Sequence, residues 1–117
     1  MQISKEFKFS AAHFLTKYHG KCEKLHGHTY KLRVTFEGAV KDDGMVVDFV
    51  EIGELVRERV LAKYDHASLN DFFENPTAEN IAMQIWKDLE GGLGDGVRLK
   101  KVKVWESEDS FVTYCGK

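Results

Sequence analysis

The sequence has little of what marks secreted, membrane or nucleic-acid-binding proteins. It holds only one proline and two cysteines in 117 residues. In a reducing compartment two cysteines are not expected to form a structural disulfide. No stretch approaches the roughly 20 apolar residues that cross a bilayer, and the first residues lack the apolar run of a signal peptide. The formal net charge is -2, which gives no reason to propose nucleic acid or a membrane as partner. We therefore expect a cytoplasmic protein.

The composition is that of a globular protein. Apolar residues make up 43% and charged residues 31% of the chain, and we find no repeat, linker or low-complexity tract. The length fits a single domain over residues 1–117. A domain of this size has a modest core, so self-association would help it to bury more surface.

Two segments alternate with the period of a β-strand. Residues 3–13 and 28–37 predict two strands joined by a polar loop over 14–25, because apolar side chains fall on one face at every second position. The mostly apolar face of the first strand carries Phe7, Phe9, Ala11 and His13, and that of the second carries His28, Tyr30, Leu32, Val34 and Phe36.

Two helices follow in the middle of the chain. Asp48 and Glu51 have the spacing of a capping box, and the helix is predicted to reach about Tyr64. A second helix is predicted to start near 75–77 with Pro76 in its first turn, and to end at Gly91. The residues expected to be buried are Phe49, Ile52, Val56 and Val60 on the first helix, and Ala78, Ile81, Ile85 and Leu89 on the second.

Two further strands are predicted at 97–107 and 111–115, with Cys115 as a small apolar strand residue. The order is then strand, strand, helix, helix, strand, strand. Helices grouped between two hairpins predict an α+β domain with an antiparallel sheet and both helices on one face.

Three of the five histidines are predicted to converge. His13 ends the first strand while His26 and His28 open the second, so an antiparallel hairpin sets them opposite each other. Gly27 would allow a close backbone approach. Three imidazoles suit catalytic zinc with an open fourth position, whereas Cys22 as fourth ligand would make a closed structural site. Ordinary surface histidines are the remaining alternative, and His19 is out of phase in the loop.

Several motifs together resemble the family of 6-pyruvoyl-tetrahydropterin and 6-carboxy-tetrahydropterin synthases. The resemblance spans nearly the whole chain. The motifs are Phe9-Ser10-Ala11-Ala12-His13, Cys22-Glu23-Lys24-Leu25-His26-Gly27-His28, Asp48-Phe49, Asp65-His66-Ala67-Ser68-Leu69-Asn70, Pro76-Thr77-Ala78-Glu79-Asn80 and Trp105-Glu106-Ser107.

This resemblance implies a fold and an activity. It implies the tunnelling fold, in which three subunits build a barrel, two trimers stack into a homohexamer and active sites lie between subunits. The implied substrate is the pterin 7,8-dihydroneopterin triphosphate and the implied cofactor is Zn²⁺. The implied roles are metal ligands for His13, His26 and His28, catalytic base or nucleophile for Cys22, proton relay for Asp65 and His66, and pterin binding for Glu106 and, nearby, Thr77.

The chemistry of the side chains is consistent with the implied roles of Glu106 and Cys22. A carboxylate at Glu106 can accept paired hydrogen bonds from a pterin amino group and ring N–H, as it does from guanidinium. A thiol near a cation is more readily deprotonated, which would suit Cys22. Alternatively, Cys22 is an inert loop thiol.

The presence of Glu23 leaves more than one pterin product open. Related lyases that carry a Glu three residues before the His-Gly-His motif form 6-hydroxymethyl-7,8-dihydropterin for folate. Here Cys22 and Glu23 stand side by side, and the short Cys-to-His spacing favours the 6-carboxy branch, which feeds 7-deazaguanine synthesis for queuosine or archaeosine. Glu23 as a solvated loop acid is the other interpretation. A non-catalytic zinc-binding module and a pterin-binding regulator are the rival hypotheses to the lyase.

Overall fold

The computed structural model describes residues 1–20 and 23–117, and its elements follow the predicted order. None of the helices within these ranges is long and apolar enough to span a membrane. The elements are β1 (Gln2–His13), β2 (His26–Gly38), α1 (Phe49–Val56), a π-helical segment (Arg57–Leu61), α2 (Ala62–Tyr64), β3 (Ala67–Ser68), a 3₁₀ turn (Leu69–Asp71), α3 (Ala78–Leu89), β4 (Val97–Ser107) and β5 (Ser110–Tyr114).

One five-stranded sheet organises the chain, in the order β3-β1-β2-β4-β5. The pairs β1–β2, β2–β4 and β4–β5 are antiparallel, as predicted. The short β3 pairs parallel with Ala11 and Ala12 at the end of β1. The sequence did not predict β3, because two residues are too few to show an alternating pattern.

The core lies between one face of the sheet and the helices. From the sheet, Tyr30, Leu32 and Val34 are fully buried. Each large apolar side chain buried in this way stabilises the fold by about 1.5–3 kcal/mol. The predicted helical positions Ile52, Val56, Val60, Ala78, Ile81, Ile85 and Leu89 are all buried in the same region.

The helices α1 and α3 each begin at a side-chain cap. The Asp48 carboxylate accepts the N–H of Val50 at 2.9 Å, one residue earlier than the predicted capping box requires. At α3, the Thr77 hydroxyl accepts the N–H of Asn80 at 3.1 Å. Pro76 therefore precedes the cap and does not lie in the first turn.

Two predicted apolar positions are wrong. Phe49 is 52% exposed, because helical side chains tilt toward the helix N-terminus and the first residue of α1 points past the end of the packed stripe. Cys115 is exposed and lies beyond β5, which ends at Tyr114.

The face of the sheet away from the helices carries charged groups around one aromatic ring. Trp105 points to this face, and the cationic groups of Lys31, Arg33 and Lys103 lie 4.5, 5.2 and 4.7 Å from its ring centroid. The Glu6 carboxylate bridges Lys31 at 3.3 Å and Arg33 at 2.6 Å. Cation–π contacts and ion pairs thus organise this surface.

Candidate metal centre and active site

The β1–β2 hairpin brings three histidines together at one end of the sheet. His13 and His26 are Cα partners, and His28 is the partner of Ala11. The three rings lie with their centroids 4.7–4.9 Å apart, and His13 is only 1% exposed. The structure therefore brings the three histidines together as the sequence predicts. A Cβ at Gly27 would meet Ala11 O at an ordinary 3.7 Å, so packing within the chain does not require glycine there.

The hydrogen bonds of two rings fix which nitrogen carries the proton. His13 Nδ1 lies 2.9 Å from the carbonyl oxygen of Pro76, and His26 Nδ1 lies 2.9 Å from that of Lys24. A carbonyl oxygen only accepts hydrogen bonds, so each Nδ1 must be the donor. In the neutral imidazole each Nε2 then carries a lone pair, the form that binds a metal.

These free nitrogens face each other. The Nε2 atoms of His13 and His26 are 3.2 Å apart, and two lone pairs at this distance repel unless a cation lies between them. His28 Nε2 is buried and has no hydrogen-bond partner within residues 1–20 and 23–117. An unsatisfied buried nitrogen of this kind indicates an ion or ligand.

The donor set also has the dimensions of a metal site. The three candidate ligand atoms lie within 4.8 Å of one another. Nitrogens about 2.0–2.1 Å from a tetrahedral metal are about 3.3 Å apart, which matches the His13–His26 pair. The residues therefore fit a metal, and three imidazoles with an open fourth position are a donor set that zinc accepts.

A carboxylate lies beside the cluster. Glu106 Oε1 is 3.7 Å from His28 Nε2, so β4 brings the predicted pterin-binding residue next to the histidines. Burial lowers the pKa of His28, and the neighbouring His13 and His26 lower it further, while Glu106 acts in the opposite direction. A lowered pKa favours the neutral imidazole, which is the form that binds metals.

Asp65 and His66 form a contact on the edge of β1. The Asp65 Oδ1 atom accepts the N–H of Ser10 at 3.0 Å and lies 3.1 Å from His66 Nδ1. His66 has a φ of 61°, a conformation that is uncommon outside glycine but that His adopts more readily than most residues, and its side chain is 84% exposed. His66 and His28 line the same open depression, so the predicted relay histidine and one histidine of the cluster border one surface.

The other predicted site residues have structural partners or are not described. Glu23 Oε1 accepts the N–H of Leu15 at 3.1 Å, and Glu23 N–H donates to the Leu15 carbonyl at 2.9 Å. This carboxylate therefore holds the loop after β1 and lies 3.9 Å from His26 Nδ1. Thr77 caps α3. Cys22 lies outside the described residues.

The sequence did not identify the groups that support the histidines. The Tyr30 hydroxyl lies 3.1 Å from His13 Nδ1. Asn70 accepts the Phe14 N–H at 3.0 Å and donates to the Phe14 carbonyl at 2.9 Å. The sequence feature that could have revealed Tyr30 is its hydroxyl on the otherwise apolar face of β2, two residues after His28.

Known proteins are similar to this chain over most or all of its length. The family model described as 6-pyruvoyl tetrahydropterin synthase matches residues 2–117. A protein of Archaeoglobus fulgidus, provisionally named 6-carboxy-5,6,7,8-tetrahydropterin synthase, is 42% identical over 95% of this chain and 92% of its own length. The dihydroneopterin monophosphate aldolase of Pyrococcus furiosus is 40% identical over 74% of this chain and 75% of its own. The structure of Caenorhabditis elegans 6-pyruvoyl tetrahydropterin synthase aligns with a TM-score of 0.87 at 28% identity, covering 100% of this chain and 96% of that one.

Proposed function

The chain belongs to the 6-pyruvoyl tetrahydropterin synthase family, and we propose that it is a zinc-dependent 6-carboxy-5,6,7,8-tetrahydropterin synthase. Its substrate would be 7,8-dihydroneopterin triphosphate, and its product would enter 7-deazaguanine synthesis for queuosine or archaeosine. The short spacing between Cys22 and His26 favours this member of the family, and the name of the Archaeoglobus fulgidus relative agrees with it.

One observation carries the proposal of a metal-dependent lyase. The Nε2 lone pairs of His13 and His26 face each other at 3.2 Å beside the buried Nε2 of His28, which makes no hydrogen bond in the part of the chain that the structure describes. Zinc held by these three nitrogens would supply a Lewis acid for the hydroxyl oxygens of the substrate side chain.

The chain's own groups would bind the substrate and move its protons. Glu106 would accept hydrogen bonds from the pterin amino group and ring N–H and so orient the ring. The Cys22 thiolate would remove a side-chain proton. His66, oriented by the Asp65 carboxylate at 3.1 Å, would return a proton on the other side, since a carboxylate stabilises the imidazolium form.

Product analysis tests the proposal. The zinc-loaded protein is incubated with 7,8-dihydroneopterin triphosphate and the products are identified by mass spectrometry. We expect 6-carboxy-tetrahydropterin, acetaldehyde and triphosphate, formed with uptake of one water, and a loss of turnover with retained zinc in Cys22→Ala. No turnover by folded, zinc-loaded wild type would rule out the lyase with this substrate.

A second candidate is formation of 6-hydroxymethyl-7,8-dihydropterin. It is supported by Glu23 and by the aldolase name of the Pyrococcus furiosus relative. Against it, the Glu23 carboxylate is already engaged with the Leu15 N–H. In the same assay, a hydroxymethyl product that disappears in Glu23→Gln would select this candidate over the 6-carboxy product.

A non-catalytic zinc module is distinguished by Cys22→Ala as well. In a closed site with Cys22 as fourth ligand, the substitution would release zinc and destabilise the fold. In the lyase, zinc content is retained.

The proposal extends to a homohexamer in the cytoplasm, with active sites between subunits. It rests on the family resemblance and on the modest core of a chain this short. Light scattering of the purified protein should give six times the 13.4 kDa chain mass, and a monomer that turns over the substrate would contradict sites shared between subunits.

A further inference from the structure

The buried Nδ1 of His13 has two oxygen neighbours. The Pro76 carbonyl lies 2.9 Å away and the Tyr30 hydroxyl 3.1 Å away. At His26, by contrast, the Lys24 carbonyl lies 2.9 Å from Nδ1, and the Glu23 Oε1 atom is 3.9 Å away, beyond hydrogen-bond distance. His13 is thus the more firmly held of the two ligands whose Nδ1 contacts a carbonyl.

The two oxygens differ in what they allow. Pro76 O can only accept, so it requires a proton on His13 Nδ1. A hydroxyl can donate or accept, and with Nδ1 protonated it must present a lone pair. The Tyr30 oxygen then lies where it stabilises the positive charge that His13 would gain when its Nε2 binds a cation.

The position of Tyr30 is rigid. The side chain is fully buried, and its ring stacks on Phe9 with centroids 5.0 Å apart and planes 11° apart. A hydroxyl in such surroundings costs free energy unless it has a partner, and His13 provides one. The stacked ring fixes the hydroxyl relative to the sheet that carries the histidines.

We propose that Tyr30 is a positioning residue of the metal centre: its hydroxyl accepts from the His13 Nδ1–H beside the Pro76 carbonyl and so holds the ring with its Nε2 aimed at the metal. The inference rests on the proposed function, because it assumes that the three histidines bind the metal. Tyr30 acts only through His13 and is not assigned any contact with the substrate.

The test compares Tyr30→Phe with Tyr64→Phe. Tyr64 is a matched control: it is 1% exposed, packs against the same Phe9 ring at 6.5 Å, and donates its hydroxyl to Asp88 at 3.0 Å, a partner outside the histidine cluster. Each substitution removes one buried hydroxyl. Zinc affinity is measured by chelator competition, and the visible absorption spectrum of the cobalt(II)-substituted protein reports the coordination geometry.

We expect Tyr30→Phe to weaken zinc binding by about 10–100-fold, as loss of an outer-shell partner does, and to alter the cobalt spectrum. Tyr64→Phe should change neither. Unchanged affinity and spectrum in Tyr30→Phe, with wild type binding zinc, would overturn this inference alone. Absence of zinc binding in folded wild type would overturn the metal-dependent function together with it.

A second measurement needs no variant. Long-range ¹H–¹⁵N NMR of the metal-free wild type identifies which nitrogen of each histidine is protonated. We expect His13 to carry its proton on Nδ1. A proton on Nε2 would mean that the Tyr30 hydroxyl donates to Nδ1, and it would overturn the inference even if Tyr30→Phe does not fold.

Discussion

The Asp65 carboxylate joins two parts of the site through one oxygen, since Oδ1 lies 3.1 Å from His66 Nδ1 and also accepts the Ser10 N–H at 3.0 Å. His66 itself donates its backbone N–H to the Ser10 carbonyl. The exposed imidazole is therefore anchored to the edge of β1 at both its backbone and its ring, near the strand end that carries His13.

Replacing His66 should remove proton transfer without removing the metal. His66→Asn suits the positive φ of 61°, because Asn tolerates this conformation. We expect kcat to fall by about 10²–10⁴ while zinc content stays at the wild-type level. Asp65→Asn keeps an acceptor for Ser10 and should give a smaller loss. A near-wild-type kcat in His66→Asn would contradict the relay role.

Substitutions at Thr77 distinguish a helix-capping role from a substrate-binding role. Its hydroxyl accepts the N–H of Asn80 at the start of α3, so Thr77→Ala should lower the free energy of unfolding by about 1 kcal/mol. Thr77→Ser, which keeps the hydroxyl, should be close to wild type. Denaturant unfolding measures both. A raised KM with unchanged stability would instead support the substrate contact implied by the resemblance.

Glu6 should give a small acid-dependent contribution to stability. The hydrogen bond from Arg33, supported by Lys31, holds the pKa of Glu6 below its ordinary value. A carboxyl with a lower pKa in the folded state stabilises the fold above its unfolded pKa, and this contribution is lost as the pH falls through the folded pKa.

Thermal unfolding of wild type and Glu6→Gln at neutral pH and at about pH 3 checks this dependence. The Tm difference should be present at neutral pH and disappear in acid, and it should shrink in salt because the pair is at the surface. A difference independent of pH would contradict the assignment.

Gly38 should not tolerate a side chain. A Cβ there would lie 2.6 Å from the backbone carbonyl oxygen of Gly96, so Gly38→Ala forces two backbone segments apart and should cost about 1–3 kcal/mol. Gly94→Ala is the control, since a Cβ at Gly94 meets no atom within 4 Å. Equal stability of the two variants by denaturant unfolding would contradict this prediction, because it would mean that the backbone at the end of β2 moves away from Gly96 at no cost.

The sequence predicts well what repeats along the chain. Alternation over β2 identified the buried face that includes Tyr30, and the same alternation placed His26 and His28 together. The 3.6-residue spacing identified the packed stripe of α3. These patterns are legible because each extends over several residues and faces one continuous core.

The sequence does not predict what depends on contacts between distant segments. The carbonyl that fixes the proton on His13 belongs to Pro76, 63 residues away, and no local pattern links the two. Phe49 follows the helical period but projects past the end of α1. Thr77 has the spacing of a cap, and the resemblance alone suggested a substrate contact there.

The central claim is that His13, His26 and His28 form a metal site. Its most direct test is the metal content and zinc affinity of the purified chain, determined by elemental analysis and chelator competition for wild type, His28→Ala and His19→Ala, where His19 is an exposed loop control. We predict about one zinc per chain in wild type and His19→Ala, and a loss in His28→Ala larger than the about 10–100-fold of an outer-shell change. Folded wild type that binds no zinc, or His28→Ala that binds it as tightly as wild type, would contradict the account.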